Sequence, residues 1–167
     1  RLQNKATVAR EVWFRMSATV AKRGAGWEIL SAHYSVAVPD ERAFQSTWPL
    51  PAEIPANPDP AMESIAAMIP EGPLDHFPVP FCDRADALLI GTSQEEWIDS
   101  GPEVQRFTHQ GQPGTIRVER RGGVRTGLAS QLSWATWNGS LTLPGKPTLP
   151  IRVLSVFMKA GDRWTKV

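Results

Sequence analysis

Apolar and polar positions along this chain follow mostly the short period of β-strands. Val8 to Ala21 is rich in β-branched, aromatic and small residues, Arg23-Gly24-Ala25-Gly26 reads as a turn, and Trp27 to Val38 is strand-like again. A β-hairpin is predicted there. Prolines then crowd the chain at Pro39, Pro49, Pro51, Pro55, Pro58 and Pro60. Proline fixes φ and removes an amide donor, so a linker is predicted over 39–56. Asp59-Pro60 has the form of a helix start, and Met62, Ile65, Ala66 and Ile69 keep helical spacing until Pro70. Glu71 to Pro80 reads as loop.

Beyond it, Ala85 to Gly91 is a short apolar strand. Ser93 and Glu96 have capping-box spacing, which predicts a short helix carrying Trp97. Pro102 opens another helix with Val104, Phe107 and Thr108 on one face. From Gly114 strands return. Thr115 to Arg121 and Val124 to Trp137 flank Gly122-Gly123. Val124, Leu128, Leu132 and Trp134 share one parity, so they are expected on a single face. Asn138-Gly139-Ser140 reads as a hairpin turn rather than a glycosylation site. Ile151 to Lys159 is apolar on both faces, as in a central strand; Asp162 turns the chain, and Arg163 to Val167 starts one more strand. Helices before a run of long strands argue for an α+β fold.

Composition narrows the function. With 167 residues, 41% hydrophobic and 21% charged, the chain suits one folded domain, or one plus part of another. A net charge of +1 removes the electrostatic case for nucleic acid or an anionic membrane as the main partner. No apolar run approaches the roughly 20 residues of a membrane-spanning helix. Cys82 is the single cysteine, so neither an intrachain disulfide nor a multi-cysteine zinc site is available. Gly24-Ala25-Gly26 joins strands and opens no helix, so it is no nucleotide loop; no cofactor and no metal set are expected. A cytoplasmic location is expected.

Two segments align without gaps. Arg15 to Leu30 (RMSATVAKRGAGWEIL) lies over Arg152 to Val167 (RVLSVFMKAGDRWTKV), matching Arg15 to Arg152, Lys22 to Lys159, Gly24 to Gly161 and Trp27 to Trp164. The simplest reading is a tandem duplication. The second copy stops at Val167, whereas the first runs on through His33, Tyr34 and Ser35 to Val38. The chain therefore reads as a fragment, and its N-terminal hairpin is expected to pack its apolar face on the following domain, or to pair with a free strand edge.

The segment ALLIGTSQEEWIDSGPEVQRF, Ala87 to Phe107, resembles the SnoaL-like group of the nuclear transport factor 2-like superfamily, as does the closing run Trp27 to Ser35. The resemblance covers 57–167 as one domain lacking its last strand and 1–38 as the tail of a preceding copy. It implies an α+β cone: a curved antiparallel sheet wrapped around short helices, with an apolar cavity. The implied function is binding of a hydrophobic small molecule, with a homodimer or pairing of the tandem copies. One rival is an isomerase, cyclase or hydratase using a cavity Asp; another is a non-catalytic dimerisation domain.

Asp83 and Asp86, flanking the Ala87 to Gly91 strand, are the acid–base candidates, because a carboxyl buried in an apolar cone has a raised pKa. Asp75 lies nearby in the sequence. Such isomerases also use a Tyr donor, and the single Tyr34 falls in the other copy. His76 reads as a solvated loop residue, and His109 as favourable at a helix end. The candidate pocket lining is Trp97, Phe107, Leu132, Trp134, Val156 and Met158. Trp27 and Trp164, which follow their turns, are expected in cores. Arg15 and Arg152, which begin long strands, are expected in structural ion pairs.

Overall fold

The structure, a computed structural model, describes residues 14–55, 63–74, 84–91, 93, 96–109 and 116–167. Alternation produces two antiparallel systems. The first is the hairpin β1 (Arg15–Arg23) and β2 (Gly26–Ser35). The second is a six-stranded, strongly curled sheet: β3 (Gly72–Leu74), β6 (Ile116–Arg120), β7 (Arg125–Ala129), β8 (Leu132–Thr142), β9 (Leu149–Ala160) and β10 (Arg163–Lys166). Its order is β10-β9-β8-β6-β3, with β7 also paired to β8. Between β3 and β6 lie the small pair β4 (Leu89–Ile90) and β5 (Trp97–Ile98). The helices are α1 (Asp40–Gln45), α2 (Glu63–Ala67) and α3 (Gly101–His109). The whole is α+β, mostly antiparallel sheet.

The path of β6 and β7 departs from the sequence pattern. Gly122-Gly123 is no reversal. Both strands run antiparallel to β8, and the register shifts by two residues between Arg120↔Gly139 and Arg125↔Thr136. The glycines are a bulge in one continuous path. Gly122 sits at φ 78, which a side chain disfavours, and Ile54 bridges to it in parallel, with the Gly123 amide donating to the Ile54 carbonyl at 2.6 Å. The chain reverses instead at Ser130-Gln131, with Ser130 at φ 56. This turn changes the parity. Val124 and Leu128 share the face of Ser133, Ala135 and Trp137, while Leu132 and Trp134 point to the other side.

The face with Trp137 is the core. Val118, Val124, Ala135, Trp137 and Phe157 pack there against Ile65 and Ile69. These two residues lie four apart, on one face of α2 and its last turn, where the Ile69 amide donates to the Ala66 carbonyl at 3.2 Å. Trp164 packs at the margin of this cluster, as expected.

Several local expectations are corrected. Asn138-Gly139-Ser140 is strand, inside β8. Ser93 and Glu96 do form half of a capping box, the Ser93 amide donating to Glu96 Oε2 at 2.9 Å. The Gly91 amide then bonds the Glu96 carbonyl at 2.8 Å and closes a hairpin, so Trp97 lies on β5 and no helix starts. The span 39–56 contains α1, which begins directly after Pro39, whose carbonyl accepts the Arg42 and Ala43 amides at 2.9 Å. Trp48 Nε1 reaches back to the Ala43 carbonyl at 2.8 Å, and Lys146 stands 5.6 Å from the Phe44 ring centre. Residues 72–74, expected as loop, pair with β6. On α3, Val104 and Thr108 are buried and Phe107 is exposed.

The N-terminal hairpin does meet the rest of the chain: β2 approaches β9, and Arg15 donates to the Gly91 and Ser93 carbonyls at 3.2 and 2.8 Å. The face it uses is the reverse of the expected one. Arg15, Ser17, Thr19, Ser31, His33 and Ser35 are the shielded positions, whereas Phe14, Met16, Val20, Ile29 and Tyr34 are exposed. Trp27, expected in a core, is 71% exposed. The burial alternation of β1 assigns the small and polar side chains to the covered side. Arg15, with its main-chain partners, anchors that side.

Candidate functional site

The sheet face away from α2 carries Leu132 and Trp134 on β8, opposite Met158 and Val156 on β9. Four of the six pocket residues expected from sequence therefore share one face. Trp134 is also paired with Gly127 on β7, and a Cβ at Gly127 would fall within its indole ring. Glycine leaves the space across which the ring lies flat. Ser133 Oγ, pointing the other way, donates to the Gly127 carbonyl at 2.8 Å and ties the β7–β8 turn.

The tip of the β1–β2 hairpin stands against this turn. Between them is a cleft of about 460 Å³, within the usual range of small-molecule sites. Val20, Leu30, Leu132 and Trp134 form apolar wall, and Lys22 and Arg23 add cationic side chains. Arg23 is held by Glu28 at 2.6 Å, in an exposed pair of little net strength. The β2 contribution to the wall comes from a bulge: the register shifts between Thr19 and Val20, leaving Leu30 out of the ladder.

Deeper along the same interface, His33 on β2 faces the sheet. Burial, and secondarily the Arg152 guanidinium, hold its pKa below the ordinary 6.5. Ser17 lies directly across from His33 on β1. Arg152 is exposed and acts on His33 by charge, and Arg15 donates to two main-chain carbonyls.

A pH prediction follows. A His with a lowered folded-state pKa contributes stability above its unfolded value of about 6.5, and that contribution is lost as pH falls through the lowered value. Amides of β1 and β2 are expected to exchange faster at pH 5 than at pH 7, after correction for intrinsic rates. His33→Asn should remove this difference. An exchange pattern unchanged between the two pH values would contradict the placement of His33.

The acid–base candidates fare differently. Asp83, Asp75 and His76 lie outside the described residues. Asp86 is exposed, and Arg84 grips it with two hydrogen bonds of 2.7 Å. Those bonds lower its pKa, the opposite of what a general acid at neutral pH needs. Of the six expected pocket residues, Leu132 and Trp134 line the cleft; Val156 and Met158 do not, nor do Trp97, half exposed on β5, and Phe107, exposed on α3. His109 is the last residue of α3. Sequence reasoning missed Val20, Leu30 and His33 as site residues, since nothing in their local pattern says which distant strand they meet.

Among the described residues, no group of three His, Cys, Asp or Glu side chains is arranged to hold a metal ion, and no helix is long and apolar enough to cross a membrane. Comparison of the chain with protein-family models, with curated proteins and with solved structures returned no match.

Proposed function

We propose that residues 57–167 are a SnoaL-like unit of the nuclear transport factor 2-like superfamily, that residues 1–38 are the closing strands of a related unit, and that the chain binds a flat hydrophobic small molecule in a cytoplasmic setting. The cleft carries this reading. Leu132 and Trp134 supply an apolar platform and Lys22 supplies a cation, a combination suited to an aromatic or alicyclic ligand with an anionic group. Kinship of the two segments is supported by their matching hairpins. Lys22↔Trp27 and Arg23↔Gly26 in one correspond to Lys159↔Trp164 and Ala160↔Arg163 in the other. The turn glycines Gly24 and Gly161 have φ 59 and 62. An acid–base enzyme gains no support from Asp86.

Calorimetric titration with 2-naphthoate tests the cleft. Micromolar to submillimolar binding is expected, and Trp134→Ala should weaken it about tenfold, the effect of losing roughly 1.4 kcal/mol of aromatic contact. Leu132→Asp should abolish it. Equal affinity in wild type and both variants would remove the cleft as the site.

A further inference from the structure

The hairpin wall of the cleft continues inward as a hydroxyl-bearing surface. Side chains alternate along β1, and its shielded positions are Arg15, Ser17, Thr19 and Ala21. Ala21 lines the cleft, and Thr19, two residues further in on the same side, is 3% exposed. On β2 the bulge turns Leu30 and Ser31 to that side together, and Ser31 pairs with Thr19. Leu30 lines the cleft as well. Thr19 therefore stands at the inner end of the cleft, next to two of its wall residues. Its Oγ1 is shut off from solvent and has no hydrogen-bond partner among the described residues. Ser133 Oγ, on the core side of β8, does have one in the Gly127 carbonyl. A buried hydroxyl without a partner costs stability, and a valine would fill the same volume without that cost. A ligand that brings a partner removes the cost, so Thr19 favours ligands carrying a matching group.

We infer that Thr19 is a specificity-determining residue of the cleft, and that its hydroxyl selects flat hydrophobic ligands bearing a hydroxyl at the end opposite their anionic group. The inference rests on the proposed binding function of the cleft. Lys22 takes the anionic group near the hairpin tip, and Thr19 lies three residues back along β1, about 10 Å of strand. The rings of the ligand span that length between Leu30 and the platform of Leu132 and Trp134. A ligand hydroxyl suits Thr19 because each oxygen both donates and accepts, so one proton rotates to serve the pair. A second anion at this end would give up its hydration to a single neutral hydroxyl, which is a poor exchange. A purely apolar end leaves Thr19 Oγ1 buried and unpaired, and that cost is the source of the discrimination.

The probes are 2-naphthoate and 6-hydroxy-2-naphthoate, which differ by one hydroxyl at the far end of the rings. Both are titrated calorimetrically into the whole chain and into Thr19→Val and Thr19→Ser. The readout is the ratio of the two affinities. In the wild type the hydroxylated ligand should bind about three- to tenfold more tightly, the effect of one neutral hydrogen bond made in a buried site. Thr19→Val keeps the side-chain shape and should bring the ratio to about one, while Thr19→Ser should keep it above about three. A merely structural Thr19 would change both affinities together and leave the ratio at its wild-type value, which would overturn the inference. A check on the wild type alone uses 6-methoxy-2-naphthoate, which has no proton to donate; it should bind no better than naphthoate, and binding as tight as that of the hydroxylated ligand would count against Thr19 as the partner. If naphthoate binds and its hydroxylation changes nothing, the inference fails and the cleft reading stands. If neither ligand binds, both fail.

Discussion

Phe157→Ala is expected to lower unfolding stability by about 3–5 kcal/mol, read as a fall in the urea midpoint with an unchanged slope. Phe157, on β9, is 1% exposed and is one of the largest buried side chains among the described residues. Its removal opens a cavity on the core side of β9, and a strand paired on both sides, to β8 and β10, has little freedom to collapse into it. A domain of ordinary stability has about 5–15 kcal/mol in total, so the loss would be a large fraction of it. Phe157→Leu keeps most of the volume and should cost about 1 kcal/mol. If the alanine variant unfolded at the wild-type midpoint, Phe157 would not be a core residue.

Gly139→Ala is the second large effect, expected to cost about 3 kcal/mol or to prevent folding. A Cβ at Gly139 would come within 2.5 Å of the Glu119 carbonyl oxygen on β6 and 2.8 Å of the Trp137 ring. The carbonyl belongs to a neighbouring strand, so relief requires moving a backbone that is paired on its other side to β3. Overpacking of this kind commonly costs 1–3 kcal/mol, and a main-chain clash falls at the upper end. Gly26→Ala is the matched control, since the nearest atom to its Cβ is the Arg23 carbonyl oxygen at 3.9 Å; it should stay within about 0.5 kcal/mol of wild type. Thermal melts followed by far-ultraviolet circular dichroism would rank the two. Equal melting temperatures would show that β6 and β8 are not paired as described.

The contrast between these glycines explains how much of the fold the sequence discloses. Gly24 was legible as a turn because its neighbours on both sides alternate. Gly139 was not legible as strand: Asn-Gly is the commonest hairpin signal, and only the partners on β6 and β9 keep it extended. The run Val124 to Trp137 misled in another way, since it reads as one strand. Gly122, at positive φ, serves a bulge where Ile54 bridges, and the reversal falls inside that run at Ser130, which also takes a positive φ that side chains rarely adopt. That unread turn put Val124 and Leu128 on the face opposite Leu132 and Trp134. Leu132, Trp134, Val156 and Met158 share one face of the sheet, because a strand's period keeps alternate residues together wherever the strand goes, and of these Leu132 and Trp134 line the cleft. Their neighbours Val20 and Leu30 belong to a hairpin about 100 residues earlier, and no local rule reports that meeting.

Local chemistry alone determined the strand-rich α+β character, the N-terminal hairpin, the short helix ending at Pro70 and the second helix opening near Pro102. Each depends on backbone preferences and side-chain periods spanning a few residues. Tertiary structure decided which face of each strand is covered. The hairpin is the clearest case. Its apolar front is exposed and its polar back is turned to the sheet, since burial is set by what lies across the gap and not by the hydrophobicity of the strand itself. Arg15 finds carbonyls on the loop after β4, and His33 comes beside Arg152, through contacts that span from about 75 to 120 positions along the chain.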